Sequence, residues 1–200
     1  MSCLSTSTLR GATHLVIRSG HIRIRCLTFA FLALFTWFGA LRGADTPSLD
    51  PHLEALRPWL GKTWLGEFKN STPEKPVVDV ATWEPALNGK AVRVTHSIND
   101  GSHGSETLMI WDEKKKTLKY HYFTTAGFTT EGTLSVEGSV LVTHETVAGG
   151  AGGVTEVRGR NEMKPDGTFL VKTEYLKEGA WVPGRETLYR EAPGAVVKFR

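Results

Sequence analysis

Gly61-Lys62-Thr63-Trp64-Leu65-Gly66-Glu67-Phe68 divides this chain into two kinds of text. Before it, Leu49, Leu53, Leu56 and Leu60 recur at helical spacing. Ser48 and Asp50 are both candidate caps for that helix, with Pro51 at its first position and Glu54 in its first turn. After it the chain alternates between apolar and polar side chains in short runs and shows no second long helical period. The stretch is itself the first of these runs. Residues 45–61 are therefore expected to form a leading segment with a short helix over one end of a core. Residues 62–191 are expected to form the core domain, and 192–200 a C-terminal tail.

Working outward from residues 62–69, nine more strands are expected over 77–83, 90–98, 105–111, 117–124, 128–136, 139–147, 154–163, 168–176 and 185–190. Turn chemistry separates them: Asn88-Gly89, Asn99-Asp100-Gly101, Glu137-Gly138, Asp166-Gly167 and Pro183-Gly184. Evenly spaced strands joined by short turns predict an all-β fold. The best match is an antiparallel up-and-down barrel of about ten strands with a short N-terminal helix. A two-sheet sandwich is the alternative, because alternation alone does not show closure.

The first 44 residues differ in kind. Residues 26–40 form an apolar run preceded by Arg18, Arg23 and Arg25, and no acidic residue occurs before Asp45. A basic region, an apolar stretch too short to span a membrane and small residues beyond it describe a secretory signal peptide. Cleavage after Ala44 leaves Arg42 where a small residue is preferred, so Ala40 and Gly43 remain alternatives. Residues 1–20 are long for a basic region, and a later start is a further alternative.

Removing this segment changes the charge. The whole chain has 24 Lys and Arg against 21 Asp and Glu. Five arginines and no acid leave with the leader, so the mature chain has 19 basic against 21 acidic residues, a net −2. The basic balance thus belongs to the leader, and no nucleic-acid partner is expected. No membrane association is expected after cleavage. Cys3 and Cys26 also leave, which removes disulfides, thiolate nucleophiles and cysteine metal sites. The expected location is periplasmic or secreted.

Alternation assigns faces. Val92, Val94, His96 and Ile98 share one face, as do Leu118, Tyr120 and Tyr122. Val140, Val142, His144 and Thr146 form a third set, and Phe169, Val171 and Tyr175 a fourth. An inner face mixing aliphatic side chains with Tyr and His suggests a pocket more than a filled core.

The order of motifs resembles a bacterial family of lipocalin-like (calycin) barrels of unknown function, DUF1579-like. The matching pieces run from Gly61-Lys62-Thr63-Trp64-Leu65-Gly66-Glu67 through Trp83-Glu84-Pro85-Ala86-Leu87-Asn88-Gly89, Trp111-Asp112 and Glu131-Gly132-Thr133-Leu134. Asp166-Gly167-Thr168-Phe169 and Tyr189-Arg190 complete the series. The resemblance implies a barrel whose first-strand tryptophan packs beside a cation of the last strand, here Trp64 with Arg190. It also implies small-molecule binding, and it offers no reaction. Phe123-Thr124-Thr125-Ala126-Gly127 lacks the acid expected in that turn of the family.

Searches for catalytic signatures are negative. Gly101-Ser102-His103-Gly104-Ser105 places histidine where a nucleophile elbow needs serine. The glycines of 149–153 are followed by a strand and lack the Lys-Ser/Thr of a phosphate loop. His52 and His103 are expected in solvent, and Glu106, Glu131, Glu145 and Glu174 on the outer face. The leading expectation is a small apolar or amphipathic molecule bound in the lumen, with no metal and no cofactor. Its ligand-binding residues are His96, Tyr120, Tyr122, His144, Val94, Phe169 and Tyr175. The alternatives are an isomerase or hydrolase using an interior His or Glu, and a filled barrel acting as an interaction module. A haem site on an interior histidine is a further, weaker alternative.

Overall fold

The computed structural model describes residues 48–200; the expected signal peptide lies outside them. Ten strands follow one helix: β1 Lys62–Phe68, β2 Val78–Ala86, β3 Ala91–Ile98, β4 His103–Asp112 and β5 Thr117–Thr124, then β6 Thr129–Glu137, β7 Val140–Ala148, β8 Val154–Met163, β9 Phe169–Lys177 and β10 Ala180–Glu191. Each pairs antiparallel with its sequence neighbours. β1 also pairs with β10, from Trp64 opposite Glu191 to Phe68 opposite Thr187, and this closes the barrel. Closure removes both sheet edges and with them the sandwich alternative.

Two strands begin earlier than alternation predicts. β10 starts at Ala180 because Pro183 and Gly184, which look like a turn, sit in a bulge whose register shifts before Glu186. A bulge tolerates proline because the missing N–H leaves no ladder bond unmade. β4 starts at His103 because Asn99 and Asp100 take left-handed conformations in a single tight turn. That turn brings His103 into the sheet and onto the inner face.

The leading helix is a 3-10 helix, Pro51–Trp59. Asp50 caps it, accepting from the His52 N–H at 3.0 Å. Leu53, Leu56 and Trp59 are fully or almost fully buried beneath the barrel, next to Leu49. Each such side chain contributes about 1.5–3 kcal/mol relative to an exposed one. The Trp64 indole N–H donates to the Trp59 carbonyl at 3.2 Å, tying helix to floor. Phe169 meets Trp64 edge-on at 4.8 Å and stacks on Tyr189 at 4.5 Å. Val92, Leu118, Leu134 and Leu141 complete this closed end.

The expected Trp64–Arg190 contact does not form. Thr187 and Tyr189 face inward, so alternation sends Arg190 outward, where it is exposed opposite Leu65. The cation over the Trp64 ring is Lys62, at 5.2 Å. The C-terminal tail returns along the outside: the Lys198 N–H donates to Ser97 Oγ at 3.0 Å, and its ammonium meets Asp100 at 2.7 Å. Among the described residues no helix is long and apolar enough to cross a membrane.

Candidate functional site

The helix blocks one end of the barrel, and the other holds a cavity of about 560 Å³. Phe68, Ile98, Phe128, Gly150 and Ala151 line the cavity at the ends of their strands and in the β7–β8 loop, and they frame its mouth. Deeper, Trp83, Val94, Met109, Leu141, Phe169 and Val171 give apolar walls. The barrel is thus not filled.

Polar side chains gather toward the mouth. Asp79, the second residue of β2, is 1% exposed and carries three contacts. Its Oδ1 faces His96 Nδ1 at 3.0 Å, and its Oδ2 accepts from the Tyr189 hydroxyl at 2.6 Å. Arg185 Nη1 lies 3.5 Å from Oδ2. Burial pushes the Asp79 carboxyl up. The hydrogen bond and charge of His96 outweigh this, with Arg185 and Tyr189 helping, and hold it below the usual carboxylate range. Burial also works against the Arg185 charge, but Tyr189 and Asp79 more than offset it and the guanidinium stays charged.

The chain of contacts continues past His96. Its Nε2 is 3.3 Å from the Tyr122 hydroxyl, and His103 Nε2 is 3.4 Å from that same oxygen. In the tautomer whose Nδ1–H donates to an ionised Asp79, Nε2 of His96 is left as an acceptor. Tyr122 then donates to His96 and accepts from His103, so every hydrogen in the chain points toward Asp79. Burial, then the neighbouring His96, holds the His103 imidazole below its ordinary pKa. Burial raises the Tyr122 phenol.

A second polar group sits on β5, β6 and β7. Thr130 donates to Glu145 Oε2 inside the lumen. Burial raises the Glu145 carboxyl, and hydrogen bonds from Thr130 and Tyr120 only partly offset it. Burial also raises the Tyr120 phenol. Among the described residues, no group of three His, Cys, Asp or Glu side chains is placed to hold a metal ion.

This geometry can be set beside known proteins. No family model matches the chain. No curated protein matches it. The crystal structure of Rv2717c from M. tuberculosis is similar, with a TM-score of 0.56 over 72% of this chain and 99% of that one. Identity between the two is 16%. The likeness is one of fold. That likeness and the closed ten-strand antiparallel barrel fit a lipocalin-like fold.

Six of the seven residues expected at the ligand lie where alternation placed them: Val94, His96, Tyr120, Tyr122, Phe169 and Tyr175 all line the cavity. His144 does not. It lies on the outer face, 58% exposed, with its Nε2 2.7 Å from Glu156. The inward face of β7 is Leu141, Thr143, Glu145 and Val147, one residue out of phase with the expectation. Glu145 is accordingly interior, whereas Glu106, Glu131 and Glu174 do not line the cavity.

Asp79, His103, Arg185 and Tyr189 carry the polar cluster, and alternation named none of them. Trp83 held the signal for Asp79. A large aromatic committed to the interior fixes the phase of β2, and Ala81 and Asp79 follow at steps of two. Arg185 was hidden by the bulge, and His103 by its glycine neighbours.

Proposed function

We propose that this protein is an exported lipocalin-like barrel that binds a small, partly apolar molecule in its lumen. One observation carries the reading: an open cavity of about 560 Å³ whose deep walls are mostly apolar, with Asn161 and Tyr120 among them, and whose charged side chains lie nearer the mouth. That volume lies within the range of about 300–1,000 Å³ usual for small-molecule sites, and a few placed polar groups on an apolar wall are their common composition. The basic and apolar leader supports export, and the order of motifs along residues 61–190 supports kinship with the DUF1579-like barrels.

Native mass spectrometry of the purified protein, compared with its denatured mass, tests the binding. An excess of a few hundred daltons that disappears on denaturation is the expected result. No excess, even after incubation with a lipid and metabolite extract, would overturn the reading. For export, the expected intact mass begins near residue 45, in material recovered from outside the cytoplasm; a full-length mass in the cytoplasm contradicts it.

A second reading rests on the Asp79–His96–Tyr122 chain, which holds an imidazole against an ionised carboxylate in the lumen. Such a pair is equipped for general acid–base work. It predicts turnover of a bound molecule that His96→Ala abolishes without unfolding the barrel, whereas a binder loses only affinity.

A further inference from the structure

Among the described residues that line the cavity, Arg185 is the one permanent cation, and it is incompletely used. Its guanidinium has five N–H donors, and no side-chain hydrogen bond to another described residue engages them. Its contact with Asp79 is long, at 3.5 Å. Asp79 cannot swing closer, because His96 at 3.0 Å and Tyr189 at 2.6 Å already hold its two oxygens. The guanidinium lies over the Phe68 ring at 5.6 Å, the residue lines the lumen, and 26% of its side chain remains accessible. A largely buried cation with free donors, whose counter-ion is held by two other partners, is a receptor for an anion.

Two features narrow the anion. Asp79 stays beside the guanidinium, so a doubly charged phosphate head would meet a like charge at close range, whereas a single charge is tolerated through the bonds that already engage Asp79. Across the lumen burial raises the Glu145 carboxyl, which lessens one source of repulsion. Depth supplies the orientation. Arg185 sits at the bulge in the mouth half of β10, level with Asp79 and His103, and the walls toward the helix are mostly apolar and carry no charged side chain.

We propose that the lumen takes a monoanionic amphiphile, a carboxylate on an apolar body. Arg185 grips the carboxylate near the mouth, and the apolar part points down toward Trp83, Met109, Leu141 and Phe169. The proposal rests on the lumen-binding reading above and adds the head-group class and the direction of entry.

The test uses three probes of equal chain length below their micelle concentrations: dodecanoate, dodecanol and dodecyltrimethylammonium, titrated calorimetrically into the purified protein at pH 7. Dodecanoate is expected to bind at least about tenfold tighter than dodecanol, the scale of one added charge-assisted hydrogen bond, and the cation weakest. In Arg185→Gln the acid-to-alcohol ratio should fall to about one, and Arg185→Lys should recover part of it, because lysine restores the charge but not the fork. Equal binding of all three probes by the unmodified protein overturns the head-group assignment and leaves lumen binding standing. So does an unchanged ratio in a folded Arg185→Gln. Failure of all three to bind, with no co-purifying mass, removes both readings. If Arg185→Gln does not fold, the ranking of the three probes on the unmodified protein decides the matter.

Discussion

Replacing Asp79 by Asn tests whether the interior charges hold the barrel together as the contacts imply. Asparagine keeps the shape but offers one acceptor oxygen where two are used, to His96 at 3.0 Å and Tyr189 at 2.6 Å. A hydrogen bond to a charged group contributes about 1.5–3 kcal/mol and a neutral one about 0.5–1.5, so each of the two bonds loses roughly 1 kcal/mol. His96 can soften the loss by reversing its tautomer. Arg185 cannot, and it is left as a charge without its counter-ion. Breaking a fully buried pair costs about 3–5 kcal/mol. The side chain keeps 26% of its surface toward the lumen, so roughly a third of that range is the better figure. The sum is about 3–4 kcal/mol at pH 7, or about 6–16 °C in Tm for a domain of this size. Urea unfolding at pH 7 measures it directly. The folded-state pKa of Asp79 is depressed, so its contribution is complete above the unfolded value of about 3.9 and is lost as pH falls through the folded value. The gap between the two proteins should therefore close in acid. Arg185→Gln combined with Asp79→Asn should cost less than the two separately, because the stranded charge is then gone. An Asp79→Asn protein within about 0.5 kcal/mol of the parent at pH 7 would refute the reasoning.

Three further substitutions follow from the same interior. Glu145 has its folded pKa raised, so its neutral form contributes stability below the unfolded value of about 4.3, and this is lost as pH rises through the folded value. Glu145→Gln should therefore raise Tm at pH 8 relative to the parent and change little near pH 4; a gain confined to low pH would contradict the burial of this carboxyl. Gly66→Ala should lower stability by about 1–3 kcal/mol in thermal melts, because a methyl there would stand 2.5 Å from the Tyr189 ring; an unchanged Tm would mean that the ring yields freely. His144→Ala should leave binding of any lumen ligand unchanged and cost under about 1 kcal/mol, since it loses an exposed pair with Glu156 and a tilted contact with the Trp181 ring; a clear loss of affinity would put His144 back at the ligand.

How much of this interior was legible depended on what fixes the phase of each strand. In β3, β5 and β9 the large apolar and aromatic side chains fall on one face, and alternation alone assigned Val94, Tyr120 and Phe169 to the interior. In β7 both faces carry aliphatic residues: Val140 and Val142 on one, Leu141 and Val147 on the other. Composition therefore does not choose between them. The choice is made by the neighbouring strand, because residues directly opposite one another across a ladder share a face. Leu134 lies opposite Thr143 and Val136 opposite Leu141. The tight Gly138-Ser139 turn sets that register, and Leu134 and Val136 are plainly interior. Glu145 was thus within reach of the sequence through the hairpin register, though not through β7 alone.

The Asp79 cluster was not within reach in the same way, because closure builds it. Asp79 and Tyr189 are 110 residues apart. β1 lies between their strands, and Gly66 is the register partner of both, opposite Tyr189 on β10 and opposite Asp79 on β2. A side chain at Gly66 would fill the inner surface between them. Its absence lets the Tyr189 ring lie flat across β1 and place its hydroxyl on a carboxylate two strands away. A glycine in the middle of a strand weakens the strand locally. Here it is the condition for a buried acid, and through that acid for the fixed position of Arg185. The same Gly66 belongs to the stretch that opens the sheet. The first strand therefore begins the barrel, and by omitting one side chain it also lets the last strand complete the polar half of the lumen.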